Sequence, residues 1–117
     1  MPKVHYIVPV NKKTLKPGVS GADLEKFFVE EYQPQASEVE LPGHTMSLHR
    51  ADHGKEVGQY LLIGNFESIE RNEQLFPNHE PGEETKQFMS TPIAQKLLSH
   101  FDFQKMSTEA TTYIALS

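Results

Sequence analysis

The chain contains no cysteine and no tryptophan among its 117 residues. Without cysteine, disulfides, thiolate zinc sites and thiol nucleophiles are all excluded. The net charge is −5, and no basic block provides the patch that a nucleic-acid-binding surface needs. No apolar run approaches the roughly 20 residues of a membrane span, and the run near the start is too short for a secretion signal. We therefore expect a cytoplasmic protein with neither a nucleic-acid nor a membrane partner.

The bulk composition is typical of a globular protein. Apolar residues make up 37% of the chain and charged residues 23%, which is enough apolar material for a core. A length of 117 residues suits one domain and is too short for two. We predict a single domain over residues 1–117.

The strongest local pattern is a β-hairpin over His44–Phe66. Two alternating runs flank a short, glycine-containing turn, which is a hairpin signal. In the first run Met46 and Leu48 point one way, while Ser47 and His49 point the other. The second run is apolar at both sets of positions. It therefore predicts a central strand that is covered on both faces.

Before the hairpin, one strand and one helix are predicted. Val4–Val10 is rich in β-branched and aromatic residues and reads as the first strand. Ser20 is a candidate N-cap, with Asp23 three residues later as a capping-box partner. We predict that Pro34 ends this helix, because the residue before a proline avoids helical geometry.

After the hairpin, the pattern predicts helices and then a last strand. A short helix is expected over Ile69–Leu75 and a further helical stretch from near Glu84. Thr91-Pro92 supplies an N-cap followed by proline at the first helical position. Alternation toward the end of the chain predicts that Phe103–Leu116 is the final strand.

This order of elements is the βαββαβ pattern of the ferredoxin-like α+β fold. The fold has an antiparallel four-stranded sheet with its helices on one face. The other face of the sheet would still carry apolar residues from the second hairpin strand, and such a face needs a cover. A second copy of the chain is the simplest cover, so we predict a homodimer.

Two stretches resemble EthD-like proteins of the dimeric α+β barrel superfamily. Phe27–Gly43 is similar to the end of their first helix, with Pro34 and a Leu-Pro-Gly at matching positions, and Met89–Phe103 is similar to their final helix. The resemblance implies a dimeric α+β barrel. In the family pattern a histidine stands two residues before the proline, and related polyketide cyclases use a histidine near there for acid/base chemistry. Here that position is Tyr32, which is a much poorer base than histidine.

Several polar and aromatic side chains are candidates for a pocket. His5 and His49 lie within predicted neighbouring strands and could converge with Tyr32 as proton-transfer groups. A half-exposed strand face is the plainer interpretation of the two histidines. Candidate ligand-binding residues are Ser47, Tyr60, Asn65 and Phe66, although aromatic residues on a central strand more often belong to the core.

The histidine spacing does not predict a metal site. His49 and His53 are four residues apart, and on a strand that spacing spans about 13 Å, too far for one ion. A composite site with His5 or His79 is a minor alternative. We predict neither a metal nor a cofactor.

Three functions remain open from the sequence. The leading hypothesis is a small dimeric barrel with a pocket for an apolar or aromatic molecule, with possible cofactor-independent proton-transfer or oxidative chemistry. The alternative is a non-catalytic binding or stress-related dimer whose pocket is closed. A cofactor-independent monooxygenase is a third hypothesis, which the lack of tryptophan disfavours. Whether the protein is an enzyme stays open.

Overall fold

The computed structural model describes residues 2–117 and shows one four-stranded antiparallel sheet. The strands are β1 (Val4–Val10), β2 (His44–Arg50), β3 (Tyr60–Phe66) and β4 (Thr111–Ile114). Their order across the sheet is β2-β3-β1-β4, with β3 and β1 at the centre. The predicted ferredoxin-like α+β fold is confirmed.

The helices supply the second layer. Their bounds are α1 (Gly21–Phe27), α2 (Gln33–Val39), α3 (Ile69–Leu75), α4 (Glu83–Met89), α5 (Pro92–Leu98) and α6 (Phe103–Glu109). Leu24 and Phe28 from the first helical segment pack with Val8 and Leu62 from the sheet in the main core cluster. None of the helices in the described part of the chain is long and apolar enough to span a membrane.

Helix α1 begins as predicted and continues past its predicted end. The Ser20 hydroxyl accepts from the Asp23 backbone N–H, and the Asp23 carboxylate accepts from the Ser20 N–H. Pro34 does not end the helix, so that prediction was wrong. A π-helical turn, Phe28–Tyr32, shifts the register, and Pro34 falls in the first turn of α2. Proline is tolerated there because the first-turn N–H needs no partner within the helix.

The predicted final strand is only partly correct. Its first half is α6, which begins where the Asp102 side chain accepts from the Lys105 backbone N–H and which buries Met106. Only Thr111–Ile114 forms a strand. The alternating pattern is present in β4, but the strand prediction was extended too far toward the N-terminus. It covered a segment that begins after Asp102, a capping residue that favours a helix.

The hairpin is confirmed, with a longer connection than the short turn that was predicted. Residues 51–59 join β2 to β3, and the Ala51 backbone N–H donates to the Gln59 carbonyl at the base of this connection. Gly54 and Gly58 take positive φ angles of 104° and 86°. Those angles favour glycine because it lacks a Cβ.

Candidate functional site

The predicted site residues lie on opposite faces of the sheet. Side chains alternate along a strand, so His5, Ser47, His49 and Asn65 share the face that carries no helices. Tyr32 is buried in the core on the helix side. The predicted convergence of these histidines with Tyr32 on one pocket was therefore wrong. A strand can present a residue to one face only, and Tyr32 comes from a helix packed against the other.

Tyr32 holds the first helical segment to the edge strand β2. Its hydroxyl donates to Glu40 Oε2 at 2.9 Å, and the same oxygen accepts from the Met46 backbone N–H at 2.7 Å. Burial, with the neighbouring Glu40 carboxylate, raises the pKa of Tyr32. The phenol stays protonated at neutral pH and its hydrogen is already engaged. This geometry suits a structural tie and not a base.

The other four predicted polar residues form a continuous hydrogen-bonded row. We call it the polar row, and its members are His5, Asn65, Ser47 and His49. His5 Nδ1 lies 2.9 Å from Asn65 Oδ1, the Asn65 amide donates to Ser47 Oγ at 3.1 Å, and Ser47 Oγ lies 2.9 Å from His49 Nε2. The row crosses β1, β3 and β2, so the strands of His5 and His49 are not neighbours as predicted, because β3 lies between them. His49 is exposed and the other three are half-buried, so the row lies on an open surface.

The open face around the polar row is uncharged. Its strand positions carry His5, Ile7, Pro9, Thr45, Ser47, His49, Leu61, Ile63, Asn65, Thr111 and Tyr113, with no Asp, Glu, Lys or Arg. Leu61 is 40% exposed and Tyr113 is 54% exposed. This composition differs sharply from that of the chain as a whole, in which 23% of residues are charged.

A cavity of about 300 Å³ lies on the other side of the sheet, beneath the helices. Its sheet wall includes Val8, Leu62 and Phe66, and its helix wall includes Phe88 and Leu97. Phe66 thus lies where a pocket residue was predicted. Tyr60 does not line the cavity, since it reaches α1 and donates to Glu25 Oε1 at 2.7 Å.

Gly64 provides part of the space in the cavity. It lies between Leu62 and Phe66 on the helix-facing side of β3 and lines the cavity. A Cβ at this position would stand 3.5 Å from His44 Nε2 and 3.6 Å from Met46 Sδ. The missing side chain therefore leaves open the space next to the His44 ring.

Besides Thr85, whose hydroxyl donates to the Leu75 carbonyl, the buried polar group of the cavity wall is His44. It is 6% exposed, it stacks on Phe66 with ring centroids 4.6 Å apart, and it meets the edge of Phe88 at 6.0 Å. Its Nδ1 is buried and makes no hydrogen bond with any described residue. Burial, aided by the Arg71 charge, lowers the pKa of His44 to about 4. The ring is neutral at physiological pH.

His44 was not among the predicted site residues, although a signal for it was present in the sequence. It opens the first hairpin strand and shares the period of Met46 and Leu48, which were predicted to point the same way. A histidine in phase with an apolar face is a candidate for a buried polar group. The polar residues of the opposite phase are conspicuous in the sequence, but their face is open.

Three apolar side chains border both the cavity and the outer surface. Met89, Leu98 and Phe103 line the cavity and also line an open surface depression beside it. Phe103 is 53% exposed, which is unusual for so large an apolar residue.

The histidines do not gather into a metal site. Across residues 2–117, no group of three or more His, Asp or Glu side chains could hold an ion. His53 lies in the hairpin connection beside Asp52, at 3.2 Å. His79 lines the cavity on the helix side, with a left-handed φ of 64°.

Comparisons with known proteins show a likeness in fold. No protein-family model and no curated protein matches the chain. An uncharacterised NIPSNAP-like domain protein from Burkholderia xenovorans superposes with a TM-score of 0.51 and 15% identity, over 99% of this chain and 84% of that one. At this identity the likeness establishes the ferredoxin-like fold alone.

Two further solved structures are more distant in shape. A protein assigned as an antibiotic biosynthesis monooxygenase, from Bordetella bronchiseptica, gives a TM-score of 0.49 and 14% identity over 100% of this chain and 98% of that one. An ethyl tert-butyl ether (EthD) family protein from Bacillus halodurans gives a TM-score of 0.40 and 14% identity, also over 100% of this chain and 98% of that one.

Proposed function

We propose that the chain is a dimeric α+β barrel protein of EthD-like type that binds a small apolar or aromatic molecule in its helix-side cavity. The observation that carries this proposal is the cavity of about 300 Å³, walled by apolar side chains and by the unpartnered His44 ring. That volume is at the lower end of the range for small-molecule sites, which begins at about 300 Å³. It suits a molecule of one or two rings.

Binding is better supported than catalysis. The predicted proton-transfer groups Tyr32, His5 and His49 do not line the cavity, and the Tyr32 hydroxyl is already bonded to Glu40. Besides Tyr6 and His79, the titratable group in the wall that could exchange a proton with a ligand is the buried His44. Its pKa of about 4 makes it a weak base at neutral pH. The cytoplasmic location remains a prediction from the sequence.

The test is a thermal-shift screen with one- and two-ring aromatic compounds. A ligand at 100 times its Kd stabilises the native state by about 2.7 kcal/mol, which raises Tm by roughly 10 °C in a domain of this size. A Gly64→Leu variant serves as the control, since its side chain would occupy the cavity. A saturable rise in Tm that the variant lacks supports the proposal. Equal shifts in both proteins would place the binding elsewhere.

The dimer is proposed through the open face of the sheet. An uncharged face with exposed Leu61 and Tyr113 and half-buried Ile63 suits a self-complementary interface. Light scattering at micromolar concentration should report twice the chain mass, and Ile63→Lys should restore the mass of one chain. A monomeric wild type would contradict this part of the proposal without affecting the cavity.

A further inference from the structure

The hydrogen-bonding state of the His44 ring determines which ligand the cavity can hold. A neutral imidazole has one N–H donor and one bare acceptor nitrogen, and the two tautomers exchange these roles. Nδ1 is buried without a partner, whereas Nε2 faces the space above Gly64. The two nitrogens therefore meet different surroundings.

The burial of Nδ1 favours one tautomer. A buried N–H without a partner is the rarer defect in proteins, and an under-used acceptor is tolerated somewhat more often. Placing the hydrogen on Nε2 leaves only a lone pair at the enclosed nitrogen. It also points an N–H donor at the space that Gly64 leaves open.

We propose that the cavity selects a flat, uncharged molecule with a carbonyl-type oxygen, which accepts a hydrogen bond from His44 Nε2–H. This inference rests on the proposed binding function and specifies its ligand class. The oxygen would lie beside Gly64, and the rings of the ligand would lie among the apolar side chains of the wall.

The surroundings of His44 explain why the ligand is uncharged and flat. The nearby cation, Arg71, is engaged by Glu84 at 2.9 Å and by the Pro42 carbonyl at 2.8 Å, and it does not line the cavity. The described residues of the cavity wall include no Lys or Arg, so a carboxylate would lose its hydration there without gaining a permanent counter-charge. Phe66 and Phe88 present aromatic rings beside the imidazole, which favours a planar partner.

Gly64 is the specificity-determining position in this arrangement. A methyl group there would stand 3.5 Å from Nε2, an ordinary contact that needs no rearrangement of the protein. It would nevertheless occupy the place of the ligand oxygen. Gly64→Ala should therefore fold normally and lose the preference for a carbonyl.

The experiment compares three bicyclic probes of nearly equal shape by NMR titration. Tetralin is apolar, 1-tetralone carries a carbonyl acceptor, and 5,6,7,8-tetrahydro-1-naphthol carries a hydroxyl donor. A neutral hydrogen bond in a buried site should make 1-tetralone bind roughly three- to ten-fold more tightly than tetralin. ¹⁵N NMR of the wild type should show the Nε2–H tautomer and a change in the Nε2 resonance when 1-tetralone binds.

Three variants locate the effect. His44→Phe and Gly64→Ala should bind tetralin and 1-tetralone equally, with circular dichroism to confirm folding. His49→Phe is the matched control, since it makes the same substitution on the open face of the sheet, outside the cavity. It should keep the preference. If His44→Phe fails to fold, Gly64→Ala and the ¹⁵N spectrum still decide the outcome.

The contrary outcomes are distinct. Equal binding of tetralin and 1-tetralone by the wild type overturns the ligand class and leaves the binding function standing. Tighter binding of the naphthol than of 1-tetralone, if it disappears in His44→Phe, overturns it as well, because the phenol O–H would then be donating to Nε2. If no probe binds, the proposed function fails together with this inference.

Discussion

Histidines on the two faces of the sheet differ in burial and in hydrogen bonding. On the helix face, His44 is 6% exposed and its Nδ1 lacks a partner. On the open face, His5 and His49 are bonded through Asn65 and Ser47 in the polar row. Sequence patterning makes the polar row look like the site. Burial makes the lone His44 the more informative residue.

The difference follows from the cost of desolvation. An exposed histidine can exchange protein partners for water at little cost, so hydrogen bonds at a surface carry little information about function. A buried polar atom has no such alternative, and native proteins leave few of them unpaired. The buried His44 ring, whose Nε2 lies beside Gly64 in the cavity wall, therefore points to a ligand contact more strongly than a satisfied polar row does.

The largest expected effect compares neighbours on β3. Leu62 is 3% exposed on the helix face, so Leu62→Ala should lower the free energy of unfolding by about 3 kcal/mol. Ile63 is half-buried on the open face, so Ile63→Ala should lower the free energy of unfolding by less than about 1 kcal/mol in dilute protein. Urea denaturation at two protein concentrations measures both. A cost of Ile63→Ala that grows with concentration indicates a dimer, and equal costs at all concentrations contradict the assigned faces.

Acid should destabilise the helix face through His44. Its folded-state pKa of about 4 lies below the unfolded value near 6.5, so the unfolded chain takes up the proton first. The neutral His44 ring therefore makes its full contribution to the free energy of unfolding above pH 6.5. That contribution, on the order of 3 kcal/mol in total, is lost as the pH falls toward 4. His44→Phe should flatten this part of the pH–stability curve. An unchanged curve would mean that His44 is not buried as described.

The hydrogen bond from Tyr32 to Glu40 should contribute somewhat less to the free energy of unfolding than the burial of neutral His44 does. Tyr32→Phe removes a hydrogen bond to a carboxylate, worth about 2 kcal/mol, and leaves the Met46 N–H as a partner of Glu40. Because the pKa of Tyr32 is raised, wild-type stability should also fall as the pH rises above about 10. Denaturation at pH 8 and pH 10.5 checks both points. A variant that binds aromatic ligands as the wild type does would confirm that Tyr32 is structural, and lost binding would return it to the site.

The smallest effect is expected in the polar row. In protein dilute enough for the chains to be separate, Ser47→Ala breaks two hydrogen bonds on the open face, where water replaces them. It should then change the free energy of unfolding by less than about 1 kcal/mol. Ligand binding in the cavity should be unaffected. A loss of binding comparable with that of His44→Phe would show that the polar row, and not the cavity, is the site.

Local patterns in the sequence predicted much of the fold. Ser20 with Asp23, Thr91 with Pro92, and the bounds of Ile69–Leu75 all follow from capping chemistry that acts within one helical turn. Period-2 alternation similarly assigned Met46 and Leu48 to one face. The predicted helix end at Pro34 was wrong because a π-helical turn places this proline in the first turn of α2. The predicted strand after Asp102 was partly wrong because the alternating pattern was extended across α6.

The sequence by itself determined most of the order of the elements and the alternation along the hairpin strands. These properties depend on neighbours within a few residues, and the physical rules for them are local. Only the tertiary structure decided that Tyr32 and His49 lie on opposite sides of the sheet, and that Gly64 leaves space beside His44. Whether a histidine is satisfied or left unpaired depends on side chains brought together from β2, β3 and α4, which no local pattern encodes.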